Sequence, residues 1–137
     1  SGASKFSIAA ASGNTTVEGT LTATGTTTLN GVLSAQSGQV VRMRTVDGAT
    51  ATLTTSDHFV LANRDGAMTI TLPDISNAQT NGLLLKIKAG ANCASGKVYT
   101  ITGSHAIQTM DGASSLSLNS PYAAVNLVAS GSLWYIW

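Results

Sequence analysis

Acid–base cleavage of a glycan needs two carboxyl groups a few ångströms apart. Asp57, Asp65, Asp74 and Asp111 are the carboxylates weighed for that role. Asp65 and Asp111 each precede a glycine, and an Asp-Gly pair is explained by turn formation, because glycine takes positive φ without strain. Asp57 is expected to open a strand and bond nearby backbone. Asp74 follows Pro73 in a polar loop and is expected to be solvated. Nothing in the spacing pairs Asp57 with Asp74. For a nucleophile–base arrangement there are His58 and His105, but no Gly-x-Ser-x-Gly elbow. His58, beside Phe59, reads as structural; His105, in Gly103-Ser104-His105-Ala106, falls in an exposed loop. The single cysteine, Cys93, excludes an intrachain disulfide framework and a multi-cysteine zinc site, and reads as a small, partly buried filler. No catalytic residue, metal ligand or cofactor is expected, and the chain is read as non-enzymatic.

Charge narrows the partners. Seven Lys+Arg stand against six Asp+Glu, and only 9% of the 137 residues are charged. A net charge of +1 lacks the basic footprint of a nucleic-acid binder and the polybasic cluster that holds a protein to an anionic membrane. No apolar run is long enough to span a bilayer as a helix, so no membrane insertion is expected. Hydrophobic residues make up 43% of the chain, too many for a disordered one. Arg42 and Arg44 alternate with Val41 and Met43, and read as the solvated face of a connecting strand.

The elements that position these residues fall into two parts. Residues 1–12 are expected to be a cloning remnant and lead-in. Residues 13–24 and 25–36 form a repeat of period 12, Gly-Asn-Thr-Thr-Val-Glu-Gly-Thr-Leu-Thr-Ala-Thr and Gly-Thr-Thr-Thr-Leu-Asn-Gly-Val-Leu-Ser-Ala-Gln. Val17, Gly19, Leu21 and Ala23 share one side at period two; Leu29, Gly31, Leu33 and Ala35 repeat that side. This is strand alternation. Val17, Leu21, Leu29 and Leu33 are too little apolar bulk to offset the entropy of ordering the segment. Repeat architectures bury such a face against neighbours, and other copies of the same chain are the expected neighbours here. These four residues are therefore the expected subunit interface of a repetitive β-shaft over 13–45.

Residues 46–137 carry most of the large side chains. Alternation and turn signals predict strands at 57–62, 67–72, 83–88, 97–102, 114–118, 122–128 and 133–137. Met68, Ile70 and Leu72 share one face, Lys86 and Lys88 turn outward, and Trp134 and Ile136 lie opposite Tyr135 and Trp137. Short strands at this spacing, without a helical stripe, predict an all-β head, an antiparallel β-sandwich.

The runs Thr55-Ser56-Asp57-His58-Phe59-Val60-Leu61, Met68-Thr69-Ile70-Thr71-Leu72-Pro73, Ile107-Gln108-Thr109-Met110-Asp111-Gly112 and Trp134-Tyr135-Ile136 resemble the C-terminal heads of phage tail fibres. Gly13-Asn14-Thr15-Thr16-Val17-Glu18-Gly19-Thr20-Leu21 resembles their repetitive shafts. Similar tips occur on bacterial surfaces, including fibres that phage-derived genes have left in predatory bacteria. The resemblance covers about 13–137. It implies an intertwined homotrimeric β-shaft ending in a head that touches a host or prey surface, hence an extracellular place on a virion tail fibre or a bacterial cell. The implied function is non-enzymatic attachment to a cell-surface glycan or outer-membrane component. The rival expectations are a purely structural trimer-registering head and a polysaccharide-degrading tail-spike tip. The family shares no binding residues, because its tip loops diverge. The polar loop residues Asn63, Arg64, Asn77, Gln79, Asn81, Asn92 and His105 are the expected ligand contacts, since loops carry binding and nothing else accounts for them.

Overall fold

The computed structural model describes residues 18–25, 27–28, 40–77 and 80–137. The chain divides into two compact units, Ser1–Gly38 and Gln39–Trp137. In the first unit the described residues carry no strand and are all exposed, Leu21 to 78%. Val17, Leu29 and Leu33 lie outside the described residues, as does Gln79 in the second unit.

The described part of the second unit is all-β. Its strands are β1 (Met43–Val46), β2 (Thr50–Thr52), β3 (Phe59–Ala62), β4 (Met68–Thr71), β5 (Leu84–Ala89), β6 (Tyr99–Thr102), β7 (Ser115–Leu118), β8 (Ala124–Ser130) and β9 (Leu133–Ile136). They are rich in Thr, Val, Ile and Leu, whose side chains pack well on a pleated surface. Pro73 stops β4 from continuing, since it has no N–H to donate. Gly131, at φ +61°, opens the two-residue hairpin between β8 and β9. Asp111 and Gly112, at φ +48° and +86°, make the turn that bridges Met110 to Ala113. β1 straddles the 45/46 boundary and pairs along its whole length with β3.

The strands form a five-stranded sheet, β1-β3-β5-β8-β9, and a four-stranded sheet, β2-β4-β6-β7. Both are mixed, which corrects the antiparallel expectation. β1, β3 and β5 run parallel, as do β2, β4 and β6; β7, β8 and β9 pair antiparallel. The cause is in the turns. The loops after β1, β3 and β5 carry the chain from one sheet into the other, so each pair of strands stacks on the preceding pair in the same direction. The 63–67 turn thus joins strands that do not pair with each other.

Both sheets feed one buried cluster. Val46, Val60, Leu85, Ile87, Leu127 and Trp134 come from the five-stranded sheet; Met68, Ile70, Tyr99, Ile101 and Leu118 come from the other. Loop residues Leu53, Leu72, Ile75, Cys93 and Met110 close its ends. Cys93 is fully buried, and its Sγ lies 3.1 Å from the Leu118 carbonyl oxygen. The arginine expectation holds for Arg42, which is exposed, and fails for Arg44 in β1. Val41 and Met43 are exposed, while Arg44 is half-buried and donates from Nη1 to Asp57 Oδ2 at 2.9 Å. The pleat places Arg44 and Val46 together, and the Asp57 carboxylate draws the guanidinium in.

Candidate functional site

A polar cluster builds up from the loop after β4. Leu72 and Ile75 anchor that loop in the core. Between them Asp74 turns outward and its Oδ1 accepts from Ser76 N–H at 2.9 Å, a local turn of the kind Asp favours. Thr80 Oγ1 reaches back to the Ile75 carbonyl at 3.2 Å. Asn81 Oδ1 accepts from Gly131 N–H at 2.6 Å, tying the loop to the β8–β9 hairpin. Gly82, at φ +80°, turns the chain into β5. Thr55, Asp74, Asn77, Thr80, Asn81, Gly82 and Leu83 line a groove of about 690 Å³.

A second loop, 103–108, docks on Asp74. Gln108 is buried, donates from Nε2 to Asp74 Oδ1 at 2.8 Å, and accepts at Oε1 from Ser104 Oγ at 2.6 Å. His105 Nε2 lies 3.3 Å from Asp74 Oδ2. Gly103 permits this closure, because a Cβ there would collide with the Gln108 carbonyl. Asp74 is therefore not simply solvated, as its loop position implied. Its pKa falls to about 2, chiefly through Ser76 and then through Gln108 and His105.

This shift has a testable consequence. A carboxylate with a depressed folded pKa steadies its surroundings above its ordinary value of 3.8 and releases them as pH falls towards about 2. In an acid titration followed by NMR, the Gln108 side-chain amide and the Ser76 N–H are expected to shift together with a midpoint near 2. A midpoint near 3.8 would show that Asp74 is not held by these donors.

The expected ligand residues separate into two groups. Asn77, Asn81 and His105 meet around Asp74. Asn63, Arg64 and Asn92 lie at the other end of β4, in the turns that follow β3 and β5. There Asn63 packs on Gly90 so closely that a Cβ on Gly90 would collide with it. The Arg64 carbonyl accepts from Tyr99 Oη at 2.6 Å, and its Nη1 approaches the Asp47 carbonyl at 3.4 Å. Asn92 is exposed.

Asp57, Asp65 and His58 have partners elsewhere. Asp57 accepts from Thr54 N–H at 2.8 Å, from Thr54 Oγ1 and from Arg44. Asp65 pairs with Lys97 at the surface. His58 Nδ1 lies 3.2 Å from the Leu84 carbonyl. Ser104 Oγ donates to Gln108 Oε1 at 2.6 Å. Among the described residues no group of three or more His, Cys, Asp or Glu could hold a metal ion. Sequence reading missed Thr80 and Gln108. The Pro73-Asp74-x-Ser76 turn is legible in advance, whereas Gln108 is reached only through a fold that brings residues 34 positions apart together. No family model, curated protein or solved structure matches this chain.

Proposed function

We propose that this chain is the tip region of a homotrimeric extracellular fibre, an intertwined β-shaft followed by a β-sandwich head, on a phage tail or a bacterial surface. The head attaches to a cell-surface glycan or outer-membrane component and performs no catalysis. The observation that carries the ligand class is the groove beside Asp74. Its rim offers hydroxyl, amide and carboxylate groups from Thr55, Asp74, Thr80 and Asn81, the donor and acceptor types that sugar hydroxyls match. Asn81 spends its oxygen on Gly131, which orients its amide group. Loops braced from both sides supply these groups with little ordering left to lose on binding. Weak contacts at each head would add through avidity.

Two measurements test this. Light scattering is expected to give a mass of about 42 kDa, three chains of 13.9 kDa. A glycan array and outer-membrane preparations, probed with that trimer, are expected to give signals that fall at least tenfold in Asn81→Ala. Silence across all surfaces would leave only trimer registration. Release of oligosaccharides, lost in Asp57→Asn or Asp74→Asn, would make the head a depolymerase.

A further inference from the structure

We propose that the outer face of the five-stranded sheet seats further copies of this chain. This inference rests on the homotrimer reading above and specifies the surface that reading leaves open.

The two sheets have opposite outer faces. On the four-stranded sheet, the register aligns Thr50, Thr69, Thr100 and Ser117 in one row, and Thr52, Thr71, Thr102 and Ser115 in the next. Every outward position in these rows carries a hydroxyl, as a water-facing β surface should. On the five-stranded sheet, Val60, Ile87, Leu127 and Trp134 point into the core, so their strand neighbours point out. One outward row runs Met43, Phe59, Lys86, Asn126, and the Trp137 N–H bonds the Asn126 carbonyl at its end. The next runs Leu84, Val128, Tyr135. Met43 is 62% exposed, Leu84 57% and Trp137 84%. A shallow groove of about 240 Å³ crosses the face between Met43, Phe59, Lys86, Lys88 and Asn126.

Two observations select a copy of the chain as the occupant. The first is area. At about 200 Å² for a fully exposed large side chain, the exposed fractions of Met43, Phe59, Leu84, Tyr135 and Trp137 leave roughly 600 Å² here, at the top of what a monomer usually shows and approaching one side of a standard interface. The second is charge. These rows hold no acidic side chain, and their cations are already turned back onto the sheet. Lys86 Nζ sits 5.3 Å from the centre of the Phe59 ring, and Lys88 bonds the Tyr122 carbonyl and lies over its ring at 6.0 Å. Their stems extend the apolar surface while their ammonium groups are held at its margin. Around a threefold axis each copy turns this face inward.

The test compares Leu84→Glu/Tyr135→Glu with Thr50→Glu/Thr69→Glu, full chains at equal concentration. Both pairs alter outward positions, so the strand signature in circular dichroism is expected to persist. The first pair is expected to lower the mass from about 42 to about 14 kDa, and the second to leave it unchanged. Benzoylphenylalanine placed at Leu84 is expected to crosslink copies in the otherwise native chain, and at Thr69 not to, which decides the matter should the charged variant fail to fold. A native trimer that survives Leu84→Glu/Tyr135→Glu, with no crosslink at Leu84, overturns this inference and leaves the trimer reading intact. A native chain of about 14 kDa overturns the trimer reading itself. Binding of a heparin-type acidic polysaccharide to the 42 kDa species, abolished by Lys86→Ala/Lys88→Ala, would assign the face to an acidic saccharide instead.

Discussion

Replacing Trp134 with alanine is expected to cost about 3–5 kcal/mol, the range for deleting a large buried aromatic. Trp134 is fully buried near the C-terminal end of the chain. Its backbone N–H donates to the Thr109 carbonyl at 2.9 Å, and its carbonyl accepts from Asp111 N–H at 3.0 Å. The side chain thus fills the core where the β6–β7 connection joins β9. Alanine would leave a cavity that two turns cannot collapse into. The melting temperature should fall by more than ~10 °C, read at fixed protein concentration because association adds to apparent stability. Trp134→Phe should cost less than half as much. Phenylalanine keeps most of the volume and removes an indole Nε1–H that has no hydrogen-bond partner among the described residues. An alanine variant within ~1 kcal/mol of the parent would contradict this account of the core.

Strands β3 to β9 are legible because their pattern is local, whereas β2 (Thr50–Thr52) is not among the strands the sequence predicts. Met68, Ile70 and Leu72 alternate with threonines, and the structure buries all three. Lys86 and Lys88 do turn outward, with Leu85 and Ile87 inside. Trp134 is core, while Ile136 on the same side of β9 stays 41% exposed. The direction of pairing was not legible. Asn63-Arg64-Asp65-Gly66 supplies the same turn chemistry whether the chain folds back beside itself or crosses to the other sheet, and the difference lies in what β4 meets, namely β2 and β6. The same limit explains Arg44. Alternation with Val41 and Met43 marks two faces, but which is inward depends on Asp57, 13 residues away.

The site followed a similar rule. Asn77, Asn81 and His105 could be chosen as loop residues, and the fold brings them around Asp74. Asn63 and Arg64 are loop residues on equal grounds, and they fall in a separate cluster beside Gly90 and Tyr99. Composition distinguishes loop from strand; it does not say which loops the fold brings together. That needs contacts such as Gln108 to Asp74, 34 positions apart.

Asp57→Ala is expected to be the most damaging change to a charged side chain, at about 1–3 kcal/mol. Its carboxylate accepts from Arg44 Nη1, which ties β1 to the connection between β2 and β3, and from Thr54 N–H and Oγ1 within that connection. Arg44 also approaches the Thr52 carbonyl at 3.3 Å, so losing Asp57 frees the guanidinium and the loop together. Arg44 remains 39% exposed, and water reaching it keeps the cost below that of a fully buried pair. Burial works against the Asp57 charge, but the Thr54 and Arg44 bonds outweigh it and hold the pKa below 3.8. The contribution is therefore present at neutral pH and fades as pH drops below that value. Urea denaturation of Asp57→Asn should show a smaller loss at pH 7 than Asp57→Ala, and a smaller difference from the parent at pH 3 than at pH 7. Asp65→Ala removes an ion pair whose two members are both open to solvent, and should lie within error of the parent. Equal losses for Asp57→Ala and Asp65→Ala would mean that the Asp57 carboxylate does not clamp β1, and that the edge of the five-stranded sheet is held by its ladder to β3 alone.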